Sequence, residues 1–240
     1  MFSSLSIIIP AFNEGSRINQ TVADVLNKVS KVASDCDLII VDDGSTDKTI
    51  EKIKNDFSDQ FSSGVLKVFS IKHTGKGAAV KAGVLEAKKE WILFMDADNS
   101  ASIDQLYHFF SYSDFDVIVG SREVESHWTK RVEQKSRKLT GRLFNWTVRK
   151  LLKLPWLDTQ CGFKLFKKQT AKQLFGLLKE DGFVFDVEIL YLADKIGARV
   201  REVGIDWYKS EQTSVRLCRD GLKMFLSLFR IKKRWAQYVF

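Results

Sequence analysis

Short, fully apolar runs along the chain alternate with longer segments in which apolar residues recur every three or four positions. The apolar runs predict five strands, at residues 5–10, 38–41, 65–71, 91–95 and 116–120. Helical periodicity predicts four helices between them, at residues 17–32, from Ser45 or Asp47 to 57, 76–88 and 102–110. Such alternation is typical of an α/β fold, a mostly parallel sheet flanked by helices, in which parallel strands all end at one edge.

Two later segments predict amphipathic helices with basic stripes, one over residues 136–154 and one from Val215 onward. This pattern is typical of helices that lie on anionic membrane surfaces, and equally of a solvated face over an ordinary core. The basic positions are Lys135, Lys138, Arg142, Arg149 and Lys153 in the first segment, and Arg216, Arg219, Lys223, Arg230 and Arg234 in the second. The apolar positions opposite them are Leu139, Leu143, Thr147, Leu151 and Leu154, and Cys218, Leu222, Phe225, Leu226 and Phe229.

Composition supports a folded chain with one main domain. The 240 residues are 45% hydrophobic, which suffices for a sizeable core, and only two prolines and no Gly/Ser linker interrupt them. We therefore interpret residues 1–210 as one domain and residues 211–240 as a basic amphipathic extension. The net charge of +8 is concentrated in residues 122–153, at +7, and 209–240, at +6. An acidic body with two basic segments indicates a localised anionic partner. The chain has no groove-reading motif that would indicate a nucleic-acid partner.

Several classes of protein are disfavoured by what the sequence lacks. The three cysteines form no CxxC pair and have no histidine at zinc-ligand spacing, which disfavours a disulfide framework and favours a reducing, cytosolic compartment. No stretch approaches the roughly eighteen apolar residues of a membrane span, so the chain is not expected to cross a bilayer by itself. No serine or cysteine lies in a nucleophile motif, so covalent catalysis is not indicated.

Acidic pairs follow two of the predicted strands. Asp96 and Asp98 come directly after the run at 91–95, and Asp42 and Asp43 follow the run at 38–41. Two carboxylates at this spacing suit a divalent cation such as Mg²⁺ or Mn²⁺, with substrate phosphate completing the coordination, although the same residues also suit helix caps and turns. The turn containing Lys76 opens a helix after a strand, and its amides suit a phosphate, although it equally fits a plain loop.

Seven strings occur in a fixed order: SIIIPAFNE, LIIVDDGSTDKT, GKGAAVKAG, ILFMDADNS, VGSR, DTQCGFKLF and FDVEILYLA. Together they resemble the GT-A glycosyltransferases of family 2, a Rossmann-like fold, over about residues 5–210. The likeness is strongest to the branch of dolichyl-phosphate β-glucosyltransferases and dolichyl-phosphate mannose synthases. It implies an inverting, metal-dependent glucosyltransferase that uses UDP-glucose and a polyprenyl phosphate. A GDP-mannose-dependent mannosyltransferase and a family 2 enzyme with a non-lipid glycan acceptor stay open as alternatives.

The resemblance also implies roles for individual positions. Asp96 and Asp98 match the metal-binding pair, and Asp158 lies where this branch keeps an acid near the reacting centre, as an acceptor-orienting residue or a base. The positions that match the family's nucleotide-sugar site are Pro10, Ala11, Asn13, Glu14, Asp42, Asp43, Lys76 and Asp96. The positions that match its acceptor-phosphate site are Arg122, Arg131, Arg137 and Ser214.

The sequence departs from the resemblance in three places. Ser100 stands where mannose synthases tend to have Gln. In the acceptor loop at 213–216, the basic residue comes one position later than in relatives. Relatives on the glucosyl side commonly carry an N-terminal membrane helix, whereas this sequence starts at its first strand. We therefore expect membrane contact to come from the amphipathic segments or from a partner or oligomer, with the protein peripheral on the cytoplasmic face of a membrane.

Overall fold

A computed structural model describes residues 1–125, 131–132, 135–208, 217–236 and 238, with the backbone alone at 131–132, 135–140, 142, 217–220 and 222. Its main sheet has seven strands in the order β3-β2-β1-β4-β7-β5-β8, and β6 pairs with β9 in a small second sheet. The strands are β1 (Phe2–Ala11), β2 (Ala33–Asp42), β3 (Leu66–Ser70), β4 (Trp91–Met95), β5 (Val117–Ser121), β6 (Arg131–Val132), β7 (Phe163–Lys167), β8 (Val200–Gly204) and β9 (Trp207–Tyr208).

The predicted α/β architecture is confirmed. One strand that the pattern did not predict, β7, runs antiparallel to its neighbours. Every strand pair of the main sheet is parallel except the two that involve β7. Because β7 is antiparallel, Phe163 at its start pairs with Met95 at the end of β4. The segment before β7 therefore reaches the edge of the sheet at which the parallel strands end.

Helices cover both faces of the main sheet. The predicted helix at 102–110 forms as a 3₁₀ helix, Ile103–Tyr112, and a second 3₁₀ helix spans Val29–Lys31. Asp47, one of two predicted caps, accepts a hydrogen bond from the Thr49 backbone N–H at 2.9 Å, where the next helix begins. The α-helices are α1 (Ile18–Lys28), α2 (Thr49–Asp56), α3 (Ser58–Ser62), α4 (Lys76–Glu86), α5 (Lys135–Leu152), α6 (Lys168–Leu177), α7 (Phe185–Lys195) and α8 (Leu217–Ala236).

The apolar positions divide into two cores, one on each face of the sheet. One core joins the sheet to α4, α6 and α7, and the other joins it to α1 and the long 3₁₀ helix. The first core also contains Leu228, Ile231 and Trp235 of α8. The C-terminal helix therefore shares a core with the main domain, and the division at residue 210 stays a prediction.

The predicted apolar stripes are buried only in part, since Leu154 is buried and Leu151 packs against the core whereas other members are exposed. In α8 the residues Phe225, Leu226 and Phe229 are 40%, 54% and 48% exposed. In α5, which packs against α8, Leu143 and Trp146 are exposed whereas Val148 and Leu152 are buried. We call the five exposed residues Leu143, Trp146, Phe225, Leu226 and Phe229 the apolar patch. Across the described ranges, no helix has both the length and the apolar composition that a membrane span needs.

Candidate active site

Two loops at the ends of β1 and β2 are joined by side chains from the predicted nucleotide-binding string. Asn13, with a left-handed φ of 56°, donates its backbone N–H to Ser45 Oγ at 2.9 Å and accepts from the Thr46 N–H at 2.8 Å. Glu14 is buried, donates its backbone N–H to Thr49 Oγ1 at 2.9 Å, and accepts a hydrogen bond from Arg17 Nη2 at 2.8 Å. The structure thus brings Asn13 and Glu14 to the edge, where they fix the loops to each other.

Pro10 and Ala11 lie inside β1 rather than after it. Pro10 pairs with Val41 of β2, and the β1–β4 pairing ends at Ile8, so the proline falls beyond the doubly paired part of the strand. A proline cannot donate to a sheet, which explains why it is tolerated only there. The Ala11 carbonyl accepts the Asp43 N–H at 2.8 Å, which ties the two strand ends together.

The two acids after β2 organise the neighbouring loops. Asp42 is buried, and its carboxylate oxygens lie 3.2 Å from the Ser45 N–H that they accept. Asp43 accepts the Thr74 N–H at 2.8 Å and also pairs with His73 Nδ1 at 2.9 Å. The His73 ring stacks on Phe12 with centroids 4.2 Å apart, so two aromatic rings meet beside Asp43. Sequence reasoning missed this stack, because its members come from different loops.

Asp96 and Asp98 lie in the loop after β4, at the centre of the edge. Burial raises the pKa of Asp98, and the like charge of Asp96 raises it further, against the Ser100 backbone N–H 3.0 Å away and Arg17. Two carboxylates that repel each other in a half-buried position fit a divalent cation, which would relieve the repulsion. Among the residues the structure describes, no cluster of three His, Cys, Asp or Glu side chains could hold a metal. A cation at Asp96 and Asp98 would therefore take its further ligands from a substrate or from water.

Lys76, the first residue of α4, reaches the same place. Its ammonium lies 2.6 Å from Oδ1 of Asp96 and 5.1 Å from the centroid of the Phe94 ring. Burial alone would lower the pKa of Lys76, but the carboxylates of Asp96 and Asp186 outweigh it and raise that pKa. The glycine turn thus brings a basic side chain to Asp96, the first acid of the DAD motif formed by residues 96–98.

Gly162 lies against Asp96 because β7 enters the sheet at this edge. The Gly162 carbonyl accepts the Asp96 N–H at 3.1 Å, and a Cβ on Gly162 would lie 2.0 Å from Asp96 Oδ2. Any side chain at position 162 would therefore displace the carboxylate. The sequence shows a glycine before the mixed segment FKLFK, but the contact with Asp96 is visible only in the fold.

Arg122 and Asp158 form a two-pronged ion pair across the ends of β5 and the segment before β7. Arg122 Nε and Nη2 lie 2.7 and 2.9 Å from the two oxygens of Asp158, which is fully buried. Burial opposes ionisation of Asp158, but Arg122 outweighs burial and lowers the pKa of that carboxyl. Both oxygens of Asp158 are occupied, so the geometry favours an orienting role over that of a base. The guanidinium also lies 5.7 Å from the centroid of the Trp207 ring.

The other predicted acceptor residues are placed only in part. Arg131 lies on β6, where its backbone pairs with Trp207 of β9, the residue whose ring lies near the Arg122 guanidinium. Arg137 lies in the first turn of α5. Ser214 lies outside the described residues.

A buried ion pair behind the DAD loop was also missed by sequence reasoning. Lys164 of β7 and Asp186 of α7 are 1% and 3% exposed and bonded to each other. Lys164 also donates to the Cys161 carbonyl at 2.5 Å. Burial is the main cause of a raised pKa at Asp186 and raises the pKa of the Cys161 thiol to about 12. This pair fixes the segment that carries Gly162, and burial disfavours the thiolate of Cys161, which is the reactive form.

Comparison with known proteins places this geometry in context. The family model described as glycosyl transferase family 2 matches residues 6–175. A dolichyl-phosphate beta-glucosyltransferase of Dictyostelium discoideum is 32% identical, over 96% of this chain and 74% of its own. Enzymes of the same name from Saccharomyces cerevisiae and Homo sapiens are 30% and 29% identical, over 95% and 96% of this chain and 74% and 75% of theirs.

Solved structures share the fold at low sequence identity. Glucosyl-3-phosphoglycerate synthase from Mycobacterium tuberculosis, in complex with phosphoglyceric acid, has a TM-score of 0.70 at 16% identity, over 95% of this chain and 80% of its own. The same enzyme with Mn²⁺, UDP-glucose and phosphoglyceric acid has a TM-score of 0.67 at 16% identity, over 95% of this chain and 79% of its own. Mannosyl-3-phosphoglycerate synthase from Rubrobacter xylanophilus has a TM-score of 0.69 at 15% identity, over 98% and 74%.

Proposed function

This chain belongs to glycosyl transferase family 2, and we propose that it is an inverting enzyme that moves glucose from UDP-glucose to a dolichyl-type polyprenyl phosphate. The observation that carries the proposal is how far the similarity extends. The family model ends at residue 175, whereas the relatives named dolichyl-phosphate beta-glucosyltransferase match 94–98% of the chain where their identity is 28% or more. The likeness to these relatives thus includes α7, β8 and α8 as well as the DAD loop.

The donor half of the proposal rests on Asp96, Asp98 and Lys76. The two carboxylates would hold Mg²⁺ or Mn²⁺, and a divalent cation supplies Lewis-acid neutralisation of the charge that grows on a departing nucleoside diphosphate. Once Asp96 binds the cation, the Lys76 ammonium would lose its partner and turn toward the negatively charged diphosphate. Asp42, Asp43, Asn13 and Glu14 hold the loops that would receive the nucleoside.

The acceptor half rests on Arg122, held in place by Asp158. A phosphate monoester with a second pKa of about 6 is mostly a dianion at neutral pH, so it needs positioning rather than a base. One of its oxygens would bond to C1 of glucose while the bond from C1 to the UDP oxygen breaks on the opposite side, which inverts the α-linkage to β. Arg122, with Arg131, Arg137 and Ser214 as further candidates, would hold the phosphate in line.

The apolar patch supports a membrane-bound acceptor. Its five side chains lie on two adjacent helices and are exposed, and basic residues such as Lys150, Lys223 and Arg230 accompany them on the solvent side. Exposed aromatic and aliphatic residues flanked by cations are what a helix at an anionic bilayer surface presents. We propose that the protein lies peripherally on the cytoplasmic face of a membrane by this surface.

A donor and acceptor screen tests the proposal. The full-length protein is incubated with Mn²⁺, a polyprenyl phosphate in detergent, and radiolabelled UDP-glucose or GDP-mannose in parallel. We expect label in the organic extract with UDP-glucose only, as an acid-labile β-linked product, and none with Asp98→Asn. Label from GDP-mannose would identify a mannosyltransferase instead. Label that stays in the aqueous phase with both donors would rule out the lipid acceptor.

A further inference from the structure

Glu188 of α7 is a fully buried carboxylate that receives four hydrogen bonds. One oxygen accepts the backbone N–H groups of Lys179 and Glu180 at 3.0 and 2.6 Å. The other accepts Arg234 Nη1 at 2.9 Å and Trp235 Nε1 at 2.7 Å, both from α8. A buried carboxylate persists only when its charge and its lone pairs are satisfied, so this residue joins the turn before α7 to the C-terminal helix.

The segment at 179–181 packs against the glycine turn that carries Lys76. The Asp181 carbonyl accepts the Ala78 N–H at 3.1 Å. A Cβ on Gly75 would lie 2.5 Å from the Asp181 carbonyl oxygen, and a Cβ on Gly77 would lie 2.6 Å from the Glu180 carbonyl oxygen. The two glycines flanking Lys76 are therefore required by backbone that packs against them, in addition to any contact with a phosphate.

We infer that Glu188 is a positioning residue for Lys76, and that α8 is part of the support of the donor site. The connection runs from Trp235 and Arg234 through Glu188 to the 179–181 turn, and from that turn to the first turn of α4. A second tie reinforces it, because Arg234 Nη1 also lies 3.3 Å from Glu180 Oε1. The inference rests on the proposed function only in taking Lys76 as a donor-binding residue.

If Glu188 merely fastens α8 to the core, the loss of one of its hydrogen bonds should affect α8 alone. Two variants distinguish this structural role from positioning. Trp235→Phe removes the indole N–H donor and keeps an aromatic ring. Ile231→Val trims the same helix within the same core and leaves every hydrogen bond of Glu188 intact. Amide hydrogen exchange of the full chain without ligand compares the two. Arg234→Gln replaces Trp235→Phe if that variant does not fold.

Positioning predicts that the amides of residues 75–79 and 179–181 exchange about fivefold faster in Trp235→Phe, the effect of losing one hydrogen bond, and that Ile231→Val leaves them unchanged. Faster exchange confined to α8 in Trp235→Phe would overturn the inference. An equal increase at residues 75–79 in Ile231→Val would also overturn it.

Nucleotide binding gives a second readout. Trp235→Phe should weaken the binding of UDP with Mn²⁺ severalfold in the wild-type background and should have no further effect in Lys76→Met, since both changes act through one side chain. Equal weakening in both backgrounds would contradict positioning through Lys76. If UDP does not bind the wild-type protein at all, the proposed donor is wrong, and the exchange result alone decides the role of Glu188.

Discussion

The ammonium of Lys76 lies 2.6 Å from the Asp96 carboxylate, so the glycine turn and the DAD loop neutralise each other across the edge of the sheet. The second acid, Asp98, carries a raised pKa, because burial and the like charge of Asp96 outweigh the attraction of Arg17. A divalent cation and a diphosphate arriving together would separate this pair, with Asp96 turning to the cation and Lys76 to the phosphate. Under the proposed function, Lys76 and Asp96 would form an internal ion pair that the donor and its cation displace.

Asp98→Asn should cost activity but not stability. Removal of a group that stabilises reacting charge typically costs about a hundredfold or more in rate. Because the pKa of Asp98 is raised by burial and by Asp96, its ionised form lowers stability as pH rises through that pKa. The asparagine variant should therefore unfold at the same or a higher temperature at pH 7, measured beside the transfer rate.

Asp104→Asn is the matched control, since Asp104 pairs with Lys28 at the surface, 3.0 Å away. It should keep full activity. Retained turnover in Asp98→Asn would remove the metal role from the DAD motif.

Asp158→Asn should destabilise the protein in a pH-dependent way. The lowered pKa of Asp158 contributes stability that is present above the ordinary carboxyl pKa of about 3.9 and is lost as pH falls through the lowered value. Urea unfolding should show a deficit of about 1–3 kcal/mol at pH 7, from one lost charge-assisted bond, that narrows below about pH 4. A deficit that stays constant over this range would mean that the ion pair is not its source.

Gly162→Ala should disable the site through one methyl group. The new Cβ would lie 2.0 Å from Asp96 Oδ2, so the carboxylate must move, at a cost of about 1–3 kcal/mol. We expect Mn²⁺-dependent binding of UDP to be lost, as measured by calorimetry. Gly176→Ala in α6 is the control, because a Cβ there meets nothing within 4 Å and should stabilise the helix by up to about 1 kcal/mol. Normal binding in Gly162→Ala would show that the position of the Asp96 carboxylate is not critical.

Phe225→Ser combined with Phe229→Ser should weaken membrane association. The two rings lie 5.2 Å apart and are 40% and 48% exposed, so their loss removes little core packing but a large part of the apolar patch. Flotation with anionic liposomes at low salt should show wild-type protein in the top fraction and the double variant reduced about tenfold or more. Leu85→Ser, which alters an equally exposed residue on α4, should float normally. A double variant that floats like wild type would place the membrane contact elsewhere.

Local pattern predicts best the elements that begin or end at the edge of the sheet where the parallel strands end. The buried run Trp91–Met95 forms β4 with its predicted bounds, and α4 begins at Lys76 as predicted. These signals are local, because an apolar run and the turn after it carry their own conformational preference. The placement of Asp96, Asp98, Asp42, Asp43 and Lys76 at one edge then follows from parallel topology.

What local pattern could not predict depends on partners distant in sequence. The strand β7 was missed because lysines interrupt its run, and Lys164 is buried because it bonds to Asp186 of α7 and to the Cys161 carbonyl. The two-pronged pair of Arg122 and Asp158 joins residues that were expected to act separately. Helix α8 carries two apolar faces, and periodicity alone does not say which of them packs into the core.

The most direct test of the central claim is calorimetric titration of UDP into the wild-type protein, first in excess chelator and then with Mn²⁺, with Asp98→Asn in parallel. The account predicts binding by wild type that depends on Mn²⁺ and is absent from Asp98→Asn. Equal affinity for UDP in chelator and in Mn²⁺, or unchanged Mn²⁺-dependent binding in Asp98→Asn, would contradict it.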